Sequence, residues 1–192
     1  MPNNLKQKKP IWQPTGFTLI ELLIVIAIIG ILAGLASQGV QMALKQANIT
    51  ATKVRFNQWA TALENYKMQY GVYPRDLLNG DQPVLLNEKK KAFYYSLTGR
   101  QFNGNKLSPQ ERMRYNRKGF DFYTFSEGEL DEAGNFVDNF GNTTIYMKLD
   151  HDSDGFIKGL PVKDSNETQE VRVRVVFYTD DEDSPRVQSW TQ

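Results

Sequence analysis

The sequence predicts an α+β protein in which a long N-terminal helix packs against a small antiparallel β-sheet head. Two observations predict the helix: an apolar run over residues 17–36, and apolar residues that then recur every three or four positions up to Tyr70. A third predicts the sheet, because apolar and polar residues alternate in short segments of the C-terminal half. The length of 192 residues fits one folded domain in addition to this helix.

Residues 17–36 form a predicted transmembrane helix. The run is about as long as the hydrocarbon core of a bilayer requires, and it holds a single charged residue, Glu21. Lysines but no acids precede it, so the positive-inside rule keeps the N-terminus in the cytoplasm and sends the rest of the chain across the membrane. The sequence therefore predicts a single-pass protein whose head lies outside the cytoplasm.

Residues 37–70 form the predicted amphipathic half of the same helix. Its regularly spaced apolar residues are Val40, Leu44, Ala47, Ala51, Val54, Ala62, Tyr66 and Tyr70. Gly71 and Pro74 predict its end, because glycine often follows the last helical turn and proline cannot continue a helix.

The predicted head covers residues 71–192 and contains three segments with the composition of β-strands. These segments are residues 120–125, 143–149 and 171–178. In the last of them Val171, Val173 and Val175 alternate with arginines, which predicts one buried and one solvated face.

The composition excludes several classes of catalytic and metal site. The chain has no cysteine and therefore neither a disulfide nor a thiol nucleophile. Its one histidine, His151, leaves common catalytic dyads and transition-metal sites without a second member. We therefore expect no enzymatic activity; the competing hypothesis is an anchored hydrolase that uses paired carboxylates.

The segment Thr15–Ala33, TGFTLIELLIVIAIIGILA, has a glycine before the apolar run rather than a small-residue cleavage site after it. It closely resembles the class III signal of the type IV pilin-like family, which includes type IV pilins and the pseudopilins of type II secretion. The resemblance implies the lollipop fold of that family. It also implies that residues 1–16 are a leader peptide, that prepilin peptidase cleaves between Gly16 and Phe17, and that Phe17 is then N-methylated.

Glu21 is the candidate assembly residue. A carboxylate inside a membrane-spanning helix is costly and by default indicates a functional site with a partner. The resemblance implies that the partner is the amino group freed at Phe17, one helical turn away, in the same or a neighbouring subunit. Pairing between subunits would set their axial register in a filament. A simple signal anchor with a chance glutamate is the alternative.

Asp150, Asp152 and Asp154 are candidate calcium ligands. Carboxylates at alternate positions followed by Gly155 match the spacing of calcium loops, and hard oxygen ligands suit this cation. Pro161 stands where an EF-hand has its bidentate glutamate, so a complete EF-hand is excluded. The resemblance adds that major pseudopilins are stabilised by calcium in their C-terminal loops. A solvated acidic turn is the alternative.

A basic segment covers residues 87–118, where nine Lys or Arg face two Glu. Clustered bases attract phosphate whatever the sequence, so nucleic acid or an acidic neighbouring subunit is one interpretation, and a solvated surface is the other. Core packing explains the aromatic residues of this segment better than base stacking does. We expect no nucleic-acid partner.

Two further stretches are similar to major pseudopilins: the helix exit at residues 66–74, and the turn at residues 138–142, where Asn139 and Phe140 replace the usual proline and tryptophan. The resemblance implies a major-pseudopilin-like subunit of a type II secretion system. It would assemble from the inner membrane, with its head in the periplasm, into a filament in the periplasm or at the cell surface. Its partners would be other pilin-like subunits, prepilin peptidase and the inner-membrane assembly platform. A major or minor type IV pilin in adhesion, motility or DNA uptake is the alternative.

Overall fold

The computed structural model describes residues 16–162, 167–180 and 185–190, with only the backbone described at 35–38. All of the predicted leader except Gly16 lies outside the described residues. The chain divides into two compact units, one ending at Leu44 and the other beginning at Lys45.

The first element is α1, Leu19–Tyr70, a helix of 52 residues. It ends where the sequence predicts, because Gly71 adopts a left-handed φ of 79° and donates its N–H to the carbonyl of Lys67 at 2.7 Å. This geometry satisfies a carbonyl that the last helical turn leaves without a partner.

Two shorter α-helices and five strands follow in the described part of the chain, besides 3-10 turns at Arg75–Leu77 and Leu86–Lys89. In order they are β1 (Val84–Leu85), α2 (Lys90–Thr98), α3 (Pro109–Tyr115), β2 (Ile145–Leu149), β3 (Ile157–Pro161), β4 (Thr168–Val171) and β5 (Val175–Thr179). An antiparallel sheet has the order β1-β2-β5, and β3 pairs with β4 in a separate antiparallel hairpin. The predicted α+β class, with a long N-terminal helix and a small antiparallel sheet, is confirmed.

Trp59 of α1 lies at the centre of the main core and is fully buried. Its ring meets the rings of Phe93, Phe136 and Phe177 edge to face, with centroids 5.5–5.6 Å apart. Such pairs add to the free energy gained by burying aromatic surface. The helix, α2 and β5 therefore share one aromatic core, and the expectation that aromatic residues of the basic segment belong to it is correct for Phe93.

The predicted strand at residues 171–178 is wrong in its bounds and in its pattern. It is interrupted at residues 172–174, and β5 is buried at every position instead of at alternate ones. Val175 and Phe177 face the main core, whereas Val176 and Tyr178 face a second cluster that includes Trp190. Both faces of β5 are covered, so the strand lacks the solvated face that alternation requires.

The predicted strand at residues 120–125 is also wrong, because this segment is irregular. The N–H groups of Phe122 and Tyr123 both donate to the carbonyl of Leu97 at the end of α2. The side chain of Phe125 packs against Trp59 in the main core. This aromatic segment packs along α2 and α1. Its backbone and side chains find partners there without pairing with a strand.

The turn at residues 138–142 connects the sheet to α1. The Oδ1 atom of Asp138 accepts the N–H groups of Phe140 (2.7 Å) and Asn142 (2.9 Å), and the N–H of Asn139 donates to the buried hydroxyl of Thr52 at 3.1 Å. The aspartate therefore closes the turn without the proline that pseudopilins usually have after it.

Candidate functional site

The N-terminal part of α1 presents an exposed apolar surface. It contains a window long and apolar enough to cross a membrane, and none of that window is buried by the rest of the described chain. A surface of this length is stable only against lipid or against other apolar helices. The segment is therefore a membrane-anchor candidate.

Glu21 is held by Thr18 in a reciprocal cap at the start of α1. The carboxylate Oε2 accepts the N–H of Thr18 at 2.9 Å and its hydroxyl at 2.7 Å, and the hydroxyl oxygen in turn accepts the N–H of Glu21 at 3.3 Å. This is a capping box, which satisfies N–H groups that the first helical turn leaves without partners. Thr18 was not among the predicted site residues, although threonine three residues before glutamate is the local pattern of such a box.

Gly16 and Phe17 precede this cap. Both are exposed and neither belongs to the helix, and Phe17 is 77% exposed. The nitrogen of Phe17 lies in a peptide bond, and the carboxylate of Glu21 accepts hydrogen bonds from Thr18 instead.

The three candidate calcium ligands lie together in the loop between β2 and β3. Asp150, Asp152 and Asp154 each place one carboxylate oxygen within 4.8 Å of the others. Asp150 is only 2% exposed, and its Oδ2 accepts the N–H of Gly155 at 3.2 Å. Its Oδ1 is buried and receives no hydrogen bond from the described residues.

The other two carboxylates organise the loop backbone. Asp152 Oδ1 accepts the N–H of Asp154 at 3.4 Å, and Asp154 Oδ1 accepts the N–H of Phe156 at 2.7 Å. Ser153 between them has a left-handed φ of 62°, uncommon for a non-glycine residue. The loop therefore turns its carboxylates toward one another at some cost in backbone strain.

Three basic side chains lie in or beside this loop. Lys158 Nζ lies 3.1 Å from Asp154 Oδ2, Lys67 Nζ donates to the hydroxyl of Ser153 at 3.0 Å, and His151 Nδ1 lies 3.3 Å from a carboxylate oxygen of Asp81. The N–H of Phe156 and then Lys158 hold the pKa of Asp154 below its usual range, and Asp154 raises the pKa of Lys158. Lys158 of β3 thus partly neutralises the acidic loop, and this ion pair was not predicted from the sequence.

Comparison with known proteins adds to this geometry. Residues 15–37 match the family described as a prokaryotic N-terminal methylation motif. Over 62 residues the chain is 42% identical to type II secretion system core protein G of Pseudomonas aeruginosa. This match covers 32% of the chain and 44% of that protein. Over 61 residues it is 39% identical to type IV major pilin protein PilE of Neisseria gonorrhoeae. This match covers 32% of the chain and 36% of that pilin.

The chain therefore spans less than half the length of either relative, and no solved structure matches it. The chain is thus similar to type IV pilin-like proteins in its methylation motif, in the long helix that begins within that motif and in its partial identity to both relatives.

Proposed function

We propose that the chain is a pseudopilin of a type II secretion system, a structural subunit of a filament rather than an enzyme. The observation that supports this best is the uncovered apolar half of α1, which lies within the methylation motif. Such a surface suits a subunit that is stored in the inner membrane and then packs helix against helix with its copies. Its partners are copies of itself, other pilin-like subunits and the inner-membrane assembly platform.

The type IV pilin alternative differs in the machine that the filament serves. The match to core protein G and the absence of cysteine favour a pseudopilin, whereas the match to a major pilin favours the alternative. Deletion of the gene in the source organism distinguishes them. Loss of secreted proteins from the medium with surface filaments intact supports the pseudopilin, and loss of surface filaments with secretion intact supports the pilin.

The processing site of this proposal is the bond between Gly16 and Phe17, followed by N-methylation of Phe17. Exposure of both residues ahead of α1 supports access by prepilin peptidase. Co-expression with the peptidase should give a protein lacking residues 1–16 and carrying one methyl group, measured by intact mass. Gly16→Val should leave the precursor uncleaved, whereas the control Gly30→Val within the span should be cleaved normally. Cleavage of Gly16→Val at the same bond would contradict the proposed site.

The assembly role of Glu21 follows from the cap. Cleavage would free an ammonium group at Phe17, adjacent to Thr18, whose N–H and hydroxyl already reach the carboxylate. A positive charge there would compensate Glu21 in the bilayer, where an unpaired carboxylate is costly. We expect this pair to form in the mature protein, within one subunit or between neighbours.

The acidic loop of the head is the proposed calcium site, with Asp150, Asp152 and Asp154 as ligands. The residues fit the ion because the buried Oδ1 of Asp150 has no donor among the described residues, and a desolvated carboxylate oxygen is costly without a partner. Backbone carbonyls or water would supply the remaining ligands. Bound calcium would join the two ends of the loop and stabilise the folded head by mass action.

A further inference from the structure

A pocket of about 240 Å³ in the head is lined by four basic side chains. It lies between the loop after α2 and the loop after α3, and its basic residues are Arg100, Lys106, Arg112 and Lys118. Asp121 is the one acidic residue among the lining residues, so the pocket has an excess of three positive charges. None of these residues belongs to the N-terminal site or to the acidic loop.

The four bases are not neutralised by the described residues. None of them forms an ion pair there, whereas Lys91 and Arg114 in the same basic segment pair with Glu111 (3.0 Å) and Asp76 (2.7 Å). Within the pocket, Arg100 and Arg112 each donate one hydrogen bond to a backbone carbonyl, at 3.3 Å in both cases.

The ammonium groups of Lys106 and Lys118 donate to no group in the described part of the chain, although that of Lys118 lies 5.7 Å from the ring centre of Phe120. Most of the side-chain N–H groups of these four residues therefore form no hydrogen bond with the described residues. Lys106 and Lys118 line one concave site together with Arg100 and Arg112.

The walls of the pocket are fixed by the buried side chain of Asn116. Its Nδ2 donates to the carbonyls of Ser96 (2.9 Å) and Phe120 (2.7 Å), and its Oδ1 accepts the hydroxyl of Tyr70 (2.7 Å) and the N–H of Phe120 (3.1 Å). These bonds tie the turn that contains Lys118 to α1 and α2. The turn is therefore held in place before any ligand arrives.

The two loops also meet closely at Gly99. A Cβ atom on Gly99 would lie 3.1 Å from the carbonyl carbon of Gly119 and 3.2 Å from the carbonyl oxygen of Phe120. Glycine permits this approach together with its left-handed φ of 63°. A preformed site loses less entropy when it binds a ligand than one that must first be ordered.

We propose that this pocket binds a phosphate group. Two guanidinium forks and two ammonium groups supply more donors than the two oxygens of a carboxylate require, and they suit the three or four oxygens of a phosphate. The volume is below the roughly 300 Å³ at which pockets for drug-sized ligands begin, so it fits the phosphate with a small attached group. A free phosphate and the phosphate ester of a lipid headgroup offer the same chemistry.

The test is calorimetric titration of the full chain in a neutral detergent. The two probes are inorganic phosphate and glycerophosphoglycerol, the soluble headgroup of phosphatidylglycerol, each compared with sodium chloride at matched ionic strength. Tighter binding of inorganic phosphate identifies the free ion as the source, and tighter binding of the headgroup identifies the lipid. Absence of binding for both probes overturns the proposal.

Paired variants separate the pocket from general attraction to a basic surface. Lys106→Gln with Lys118→Gln should weaken binding about tenfold, because two of the four positive charges at the pocket are removed. The control, Lys53→Gln with Lys89→Gln, removes the same charge from exposed positions outside the pocket and should change affinity less than about twofold. Asp121→Asn should strengthen binding by removing the acid. Equal losses in the two double variants, or no gain with Asp121→Asn, overturn the proposal.

Discussion

The indole N–H of Trp59 donates a hydrogen bond to the buried carboxylate of Glu129, 2.8 Å away. The same carboxylate accepts the hydroxyl of Tyr123 at 3.1 Å and both the N–H and the hydroxyl of Ser126 at 3.0 and 2.6 Å. One side chain of an irregular loop thus satisfies donors from α1 and from its own loop. The centre of the aromatic core depends on this acceptor.

Replacement of Glu129 by glutamine should destabilise the head by about 2–3 kcal/mol, because the loss of a charged acceptor leaves buried donors poorly satisfied. The measurement is urea unfolding of a soluble fragment that begins at Lys45, followed by tryptophan fluorescence. Glu127→Gln is the control at an exposed position and should change the free energy of unfolding by less than about 0.5 kcal/mol. Similar losses in both variants would show that the hydrogen bonds of Glu129 add nothing.

High pH should unfold the head through its buried tyrosines. Burial raises the pKa of Tyr66, Tyr123 and Tyr178 to about 12, whereas tyrosines of the unfolded chain titrate near 10. The folded state therefore keeps the hydroxyl protons of these tyrosines to a higher pH than the unfolded chain does. Their contribution to the free energy of unfolding is complete below pH 10 and is lost as pH rises from about 10 to 12. Urea unfolding at several pH values, with tyrosinate absorbance, tests this. Constant stability across that range would refute it.

Gly99→Ala should destabilise the head more than Gly104→Ala. Both glycines have a left-handed φ, 63° and 81°, which costs a residue with a Cβ about 1–2 kcal/mol. Only at Gly99 would the Cβ also press against the backbone of the facing loop, since nothing lies within 4 Å at Gly104. Thermal unfolding of the two variants measures the difference. An equal loss of melting temperature would mean that the loops separate freely.

Calcium should raise the melting temperature of the head, and Asp152→Asn with Asp154→Asn should remove that rise. The comparison is between excess calcium and excess chelator, because an ion that binds only the folded state stabilises it by mass action. Asp76→Asn, with its carboxylate outside the loop, is the control and should keep the calcium response. A calcium response that persists in the double variant would exclude these ligands.

Lys158→Gln should increase calcium affinity several-fold. Lys158 Nζ is bonded to Asp154 Oδ2 at 3.1 Å, so an incoming ion must displace it, and its charge also repels the ion. Calorimetric titration with calcium measures the change. Lys89→Gln, which removes an exposed lysine elsewhere, should leave the affinity unchanged. A weaker affinity in Lys158→Gln would show that the lysine orders the site rather than competes for it.

Glu21→Val should insert into the membrane and be cleaved but should not assemble into filaments. Thr18→Val removes the hydroxyl of the cap and leaves the carboxylate, so it should reduce filament yield less. Filaments sheared from cells and quantified by immunoblot give the measurement, with membrane fractions as the loading control. A normal yield from Glu21→Val would remove this residue from the assembly mechanism.

Local patterns in the sequence were sufficient to predict α1. Apolar periodicity and the glycine at position 71 are both local, and the helix ends at Tyr70 as they indicate. The proximity of Asp150, Asp152 and Asp154 likewise follows from alternate positions in a short turn.

Contacts between segments that are distant in the sequence could not be predicted from local residue patterns. The bond between Trp59 and Glu129 joins residues 70 positions apart, and the second cluster that covers β5 brings Trp190 against Tyr178. Alternating apolar and polar residues identify a strand that has one face in water. They do not identify a strand such as β5, which is buried on both faces. The capping box of Thr18 is different, since its pattern is local and recognisable.

The double coverage of β5 has a consequence for the order in which the head folds. Residues 185–190 follow every other described element, yet they complete this strand: Thr179 donates its N–H to Val187, and Ser189 donates its N–H to Phe177. Val187 is fully buried and Trp190 is 5% exposed. Until this last segment arrives, both the edge and one apolar face of β5 are open to mispairing with other chains. A newly made chain therefore stays vulnerable to aggregation until residues 185–190 reach β5.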